Sequence, residues 1–242
     1  MSTKSRKQRE IVQRELHLLD VARGMLIAQG YAGLSMDRLA EATEFSKGTI
    51  YQHFSTKEDL VMAMAAQSSE IRASMFERLK EFTGRPRERF QGLVVADEYF
   101  ARLHPHAFRS EMIIKMADLE GRASDERRAT LLVHESRCIS LIRGFLEEAV
   151  AVGDLEPTAS LPNIMLATVC LAIGTHMATS NYRGFIKQIG PADPFTATRV
   201  NVQALLDGFG WRPLSHEWDY AATYLRVERE LFADESQAQL SG

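Results

Sequence analysis

The chain has 242 residues, 45% hydrophobic and 25% charged with 7 Pro and 15 Gly, which is the balance of an ordinary globular protein and excludes collagenous, disordered and repeat-biased classes. A net charge of -3 conceals a basic head, where Lys4, Arg6, Lys7, Arg9 and Arg14 face Glu10 alone; this points only weakly to a polyanion. No apolar run approaches membrane-spanning length, no secretory or lipidation signal stands at either end, and Cys138 and Cys170 suit a reducing compartment, so a cytoplasmic chain without a membrane partner is expected.

Apolar residues recur at helical spacing almost throughout, with no sustained two-residue alternation, and the expected fold is all-α. The first helix is expected over about Lys7 to Gln29, with Ile11, Leu18, Leu19, Ala22 and Leu26 on one stripe and Gly30 as its terminator. Ser35 then caps Met36 to Thr43, and Ser46 caps Lys47 to His53. Ser55-Thr56-Lys57-Glu58 reads as a capping box that starts a fourth helix ending near Phe82. Beyond the break at Thr83 to Pro86, longer helices are expected near Arg87 to Leu103, Phe108 to Leu119, Asp125 to Val152, Pro162 to Ser180, Phe195 to Phe209 and Glu217 to Phe232. Residues 1–64 form the expected head and 65–242 the expected larger domain.

Two short helices joined by about three residues have helix-turn-helix spacing. On the second, Ile50 and Phe54 point inward, so Gly48, Thr49 and Gln52 stand roughly opposite at 100° per residue, a small polar face fit for a major groove. Lys47, Tyr51 and His53 flank that face as donors for phosphates. Lys57 opposes the dipole of the fourth helix, a cost that a phosphate at the same terminus would remove. Ser35 and Ser46 are caps first and phosphate donors second.

The string Ser46-Lys47-Gly48-Thr49-Ile50-Tyr51-Gln52-His53-Phe54, followed by Lys57-Glu58-Asp59-Leu60, resembles the DNA-binding signature of TetR-family transcriptional regulators. Gly30-Tyr31, Leu34-Ser35 and Leu39-Ala40-Glu41-Ala42 fit the same pattern, and the resemblance covers about residues 14–65. It implies a third helix that reads operator DNA and a variable helical C-terminal domain that dimerises and binds an inducer. Two positions depart from the pattern. Glu44 stands where the family has Gly, at a cost of about 1 kcal/mol if the backbone is left-handed there, and Phe45 replaces a smaller aliphatic residue.

The resulting expectation is a homodimeric regulator, a repressor rather than an activator, released from a near-palindromic operator by a small, largely apolar effector. Tyr99, Phe108, Met112, Met116, His134, Phe145, Met165 and His176 are the candidate effector lining, and Pro162 to Ser180, apolar almost all round, is expected at the centre of the larger domain. The stripes Phe195, Val202, Leu205, Leu206, Phe209 and Trp218, Ala221, Ala222, Leu225, Phe232 are expected to form a four-helix dimer interface. His104-Pro105-His106 and the pair His134, Cys138 each supply half a metal site at most, so no metal and no cofactor are expected. No Glu-x-x-His pair, phosphate loop or GxSxG motif points to an enzyme. The alternative is a helical adaptor without sequence-specific DNA binding, for which Glu44 is the one residue in favour.

Overall fold

The computed structural model describes residues 3–117, 120–181, 183–189 and 193–240, and among them every regular element is helical. In chain order these are α1 (Thr3–Gly33), α2 (Met36–Thr43), α3 (Lys47–His53), α4 (Lys57–Glu77), α5 (Pro86–Leu103), α6 (Pro105–Met116) and α7 (Asp125–Ala151). They are followed by α8 (Leu161–Asn181), α9 (Arg183–Ile189), α10 (Pro194–Gly208), α11 (Tyr220–Leu231) and α12 (Ala233–Leu240). The all-α expectation agrees with this, and α2 and α3 have the bounds read from the sequence. The short helices α9 and α12 have no counterpart in that reading.

Gly30 breaks α1 as expected: its φ of 69° and ψ of -178° lie outside the helical region, which only Gly adopts without strain. The start of α4 is shifted by one residue. Thr56, not Ser55, is the cap: its Oγ1 accepts from the Asp59 amide at 3.0 Å, while Glu58 accepts from the Tyr31 hydroxyl. The correction is a matter of register within a run of two hydroxyl residues followed by two acidic ones. Either pairing satisfies the capping pattern, and tertiary bonds to Asp59 and Glu58 select one.

The chain packs as two compact units. The first comprises Met1–Glu70 and His104–Glu135, the second Ile71–Leu103 and Ser136–Gly242. These packing units are not collinear with the expected functional division at 64/65, because α6 and the start of α7 share a core with the head. In that core Leu18, Ala22 and Leu26 of α1 meet Leu39 of α2, Ile50 of α3, Phe54, and Leu60 and Met64 of α4, closed by Ile114 and Leu131. Arg23 crosses it, donating to Ser110 Oγ at 3.3 Å and Gln67 Oε1 at 2.8 Å, so α1, α4 and α6 are joined by a buried polar link.

In the second unit α5 is the central helix, with Phe90, Val95, Tyr99 and Phe100 buried. Arg87 on the same helix is fully buried and pairs with Asp207 at 2.6 Å while donating to the Gln203 carbonyl at 3.1 Å. Asp97 forms ion pairs with His176 of α8 at 2.6 Å and with Arg72 of α4 at 3.2 Å. Burial pushes the Asp97 carboxyl up, but the His176 imidazole and the Arg72 guanidinium outweigh it and hold the group below its ordinary value.

The expectation that α8 lies at the centre of the larger domain is corrected. Ile164 and His176 face inward, and Thr175 bonds Thr198 of the adjacent α10 at 2.6 Å. Leu166, Val169, Cys170 and Ile173, spaced i, i+3, i+4, i+7, are exposed, Leu166 to 64%. Among the described residues, therefore, only one face of this apolar helix is covered by its own chain. By length and composition Leu161–Thr179 would also suffice to cross a membrane, contrary to the reading of apolar runs. Its His176 and Thr175, however, are bonded to α5 and α10 inside the unit.

Candidate nucleic-acid interface

Each arm of the helix-turn-helix is capped by its own sequence. Ser35 Oγ accepts from the Arg38 amide at 3.2 Å, and Ser46 Oγ accepts from the Thr49 amide at 3.1 Å while lying 2.9 Å from Thr49 Oγ1. Met36, Leu39, Ala40 and Thr43 bury the inner face of α2. Between the helices Glu44 takes φ 58°, ψ 14°, the left-handed turn that Gly would adopt freely. The turn geometry is thus kept and Glu44 carries the strain, on the order of 1 kcal/mol. The neighbouring Phe45 is accommodated at the half-buried edge of the head, where the His17 ring meets it edge-on and Arg14 lies over it at 5.6 Å.

With Ile50 fully buried, α3 turns Lys47, Gly48, Tyr51 and Gln52 to solvent and leaves Thr49 half-buried beside them. A Cβ built on Gly48 would meet nothing nearer than Ser46 Oγ at 3.8 Å, so no internal contact requires Gly at this position. Lys47 Nζ lies 2.9 Å from Asp37 of α2, and that carboxylate raises its pKa, keeping the ammonium charged at the edge of the face. Tyr51 is half exposed.

Two of the expected phosphate donors are placed differently. The His53 side chain is only 7% exposed, with Nδ1 3.6 Å from Glu15 of α1 and the ring beside Phe54. It is turned into the head because the last turn of α3 closes onto α1. Lys57 Nζ donates to the Tyr31 carbonyl at 2.6 Å and lies 3.7 Å from the centre of the Tyr31 ring. It therefore ends α1 instead of standing free at the surface, and burial lowers its pKa. The adjoining Tyr31 phenol is pushed up to about 12, first by burial and then by the Glu58 carboxylate that it donates to. Asp37 and Arg127 are structural partners of the face that the sequence did not reveal, since each acts across a tertiary contact.

Residues 18–64 match the model of the bacterial regulatory proteins of the tetR family. Over those residues the head is similar to the TetR family. Over 60 residues it is 37% identical to the transcriptional repressor AcnR of Corynebacterium diphtheriae, a match covering 25% of this chain and 32% of AcnR. The chain thus spans about a third of the length of the first curated relatives it matches. A longer match, 25% identical over 196 residues, covers 81% of this chain and 91% of the repressor KstR2 of Mycobacterium tuberculosis. The crystal structure of AibR in complex with isovaleryl coenzyme A and operator DNA superposes with a TM-score of 0.57 at 18% identity, covering 79% of this chain and 97% of AibR; this likeness shows the fold.

The candidate effector residues of this TetR-like chain are divided between the units. Phe108, Met112 and His134 belong to the first, and Tyr99, Phe145, Met165 and His176 to the second; the Met116 side chain lies outside the described residues. Tyr99 is stacked on Phe232 at 5.5 Å and its phenol is raised chiefly by burial, Phe145 lies under Arg89, and His176 is committed to Asp97. Among the described residues no group of three or more His, Cys, Asp or Glu could hold a metal. Of the candidate interface residues, Val202 and Leu206 are buried within the protomer, Leu205 and Phe209 are half-buried, and Trp218, Ala222 and Leu225 are exposed. Val202 and Leu206 are therefore core residues of the protomer, because α10 turns that face toward its own unit.

Proposed function

We propose that the chain is a dimeric transcriptional repressor that holds a near-palindromic operator with two copies of α3 and is released by a small, largely apolar effector. The observation that carries the reading is the outer face of α3. Lys47, Gly48, Tyr51 and Gln52 are exposed and Thr49 is half-buried beside them; all are small or hydrogen-bonding and set on a helix capped at the correct place. Thr49 and Gln52 are assigned to base edges; Ser35, Ser46, Lys47 and Tyr51 are assigned to the phosphate backbone. Gly48 admits the backbone close to the duplex. Lys57 and His53 serve the interface by holding α1 and α3 in register.

The two-fold interface is assigned to α8 and α10. The apolar stripe of Leu166, Val169, Cys170 and Ile173 adjoins α10, where Val200, Ala204 and Gly208, four residues apart, are also exposed. Small residues on α10 let a second copy approach closely, and two such pairs make a four-helix arrangement. This keeps α10 from the sequence reading and replaces α11 by α8. The effector remains a reading by family. AibR was crystallised with both an acyl-coenzyme A and operator DNA, and the same pairing of ligand and operator is proposed here without naming the ligand. Such a ligand releases DNA only by its difference in affinity for the two states. The proposed DNA partner supports a cytoplasmic location, and no catalytic role is proposed.

The test is selection of duplexes from a random pool, followed by footprinting and salt titration. Wild type should protect two symmetric patches about 34–36 Å apart or a multiple of that. Thr49→Ala and Gln52→Ala should change the selected bases, whereas Tyr51→Ala should weaken all sequences alike. A single patch, or unchanged preference in every variant, would remove the proposal and favour a helical adaptor.

A further inference from the structure

The last turn of α3 is held from outside the helix-turn-helix. Arg127, in the first turn of α7, donates through Nη2 to the His53 carbonyl at 2.8 Å and through Nη1 to Glu15 Oε1 at 3.2 Å. Its guanidinium lies 5.1 Å from the centre of the Phe54 ring, and the other Glu15 oxygen faces His53 Nδ1. The same start of α7 is fixed a second time. The Ser124 amide donates to Asp59 Oδ1 at 2.8 Å, and Asp59 is itself buried at the first turn of α4. One guanidinium thus meets an end carbonyl of α3, a carboxylate of α1 and the ring that terminates α3. A cation at a helix C-terminus also lies in the favourable direction of the dipole. Lys cannot reproduce this, because the bonds to His53 and Glu15 leave from two different nitrogens of a planar fork.

We infer that Arg127 is a positioning residue for DNA reading, setting the angle of α3 through the His53 carbonyl without touching DNA. This rests on the assignment of α3 as the reading helix. α7 gives residues 125–135 to the first unit and 136–151 to the second, so the grip provides a covalent route from the second unit to α3 that does not pass through α4. Loosening it lets α3 tilt. Tilt harms base contacts, which need bidentate geometry, far more than it harms phosphate attraction, which tolerates displacement.

The test compares wild type, Arg127→Ala and Arg127→Lys on a duplex selected by the wild type and on a scrambled duplex of the same length, across a salt series, with amide exchange measured along α3. The inference expects Arg127→Ala to lower the ratio of selected to scrambled affinity by about tenfold. The salt slope should stay unchanged, and exchange should rise in the last turn of α3 but not in α2. Arg127→Lys should fall between and keeps the test open if the Ala variant does not fold. A salt slope reduced by about 0.9, the loss of one phosphate contact, would make Arg127 a DNA ligand and overturn the inference. An unchanged ratio in both variants would overturn it as well. If wild type itself shows no preference for any selected duplex, it is the reading of α3 that fails.

Discussion

α3 and α8 both present a face that the protomer does not use, and the two faces were unequally readable. α3 is seven residues long and its outer side is polar, with Ile50 and the His53 side chain turned inward. α8 has 21 residues and its outer side is apolar, with Leu166, Val169 and Ile173 exposed. Exposed polar residues need no partner to be stable in water, so the caps, the turn and the inward residues were enough to locate the α3 face from sequence. Exposed apolar residues at i, i+3, i+4, i+7 look the same whether their own core or a second copy covers them. The comparison teaches that an all-round apolar helix records that it is covered, but not by which chain.

The largest effect is expected at α8. Leu166→Glu combined with Ile173→Glu should convert a dimer to a monomer in analytical ultracentrifugation. It should also weaken binding to the selected duplex by at least roughly 100-fold, since the second α3 loses its effective concentration. A dimer that survives both changes would place the interface elsewhere and break the contrast. The free Cys170 in the same stripe gives an independent check by oxidative cross-linking across the two-fold axis.

The inner face of α8 should respond differently, through stability and not assembly. Asp97→Asn removes the carboxylate between His176 and Arg72 and should cost on the order of 3 kcal/mol at neutral pH, as expected for breaking a largely buried ion pair. Because the folded Asp97 carboxyl lies below its ordinary value of about 3.9, its contribution is full above that pH and is lost as pH falls through the folded value. The stability gap between wild type and variant, followed by denaturant titration, should therefore close only in strong acid. A gap that is constant with pH would show that Asp97 contributes by packing alone.

Much of the head was legible because its signals are local. Ser35 and Ser46 cap within three residues, and the left-handed turn at Glu44 falls at the position where the TetR pattern has Gly. Long-range contacts were not legible. Nothing in the sequence near His53 shows that Glu15 and Arg127 turn it inward, nor that Tyr31 takes the Lys57 ammonium. The same holds for Val202 and Leu206, whose spacing fits a dimer stripe as well as the protomer core that they occupy. The division of Phe108 and Tyr99 between two packing units likewise depends on α6 returning to the head, which no local pattern encodes.

The central claim is that the outer face of α3 is shaped by a partner outside the chain, and Gly48→Ala tests it most directly. An added methyl meets only Ser46 Oγ at 3.8 Å, and Ala favours helix by up to about 1 kcal/mol over Gly. Thermal stability should therefore be unchanged or raised, while affinity for the selected duplex should fall by about tenfold, or about 1.4 kcal/mol, as the methyl holds the backbone away from the groove. Unchanged affinity, or stability and affinity falling together, would contradict the claim.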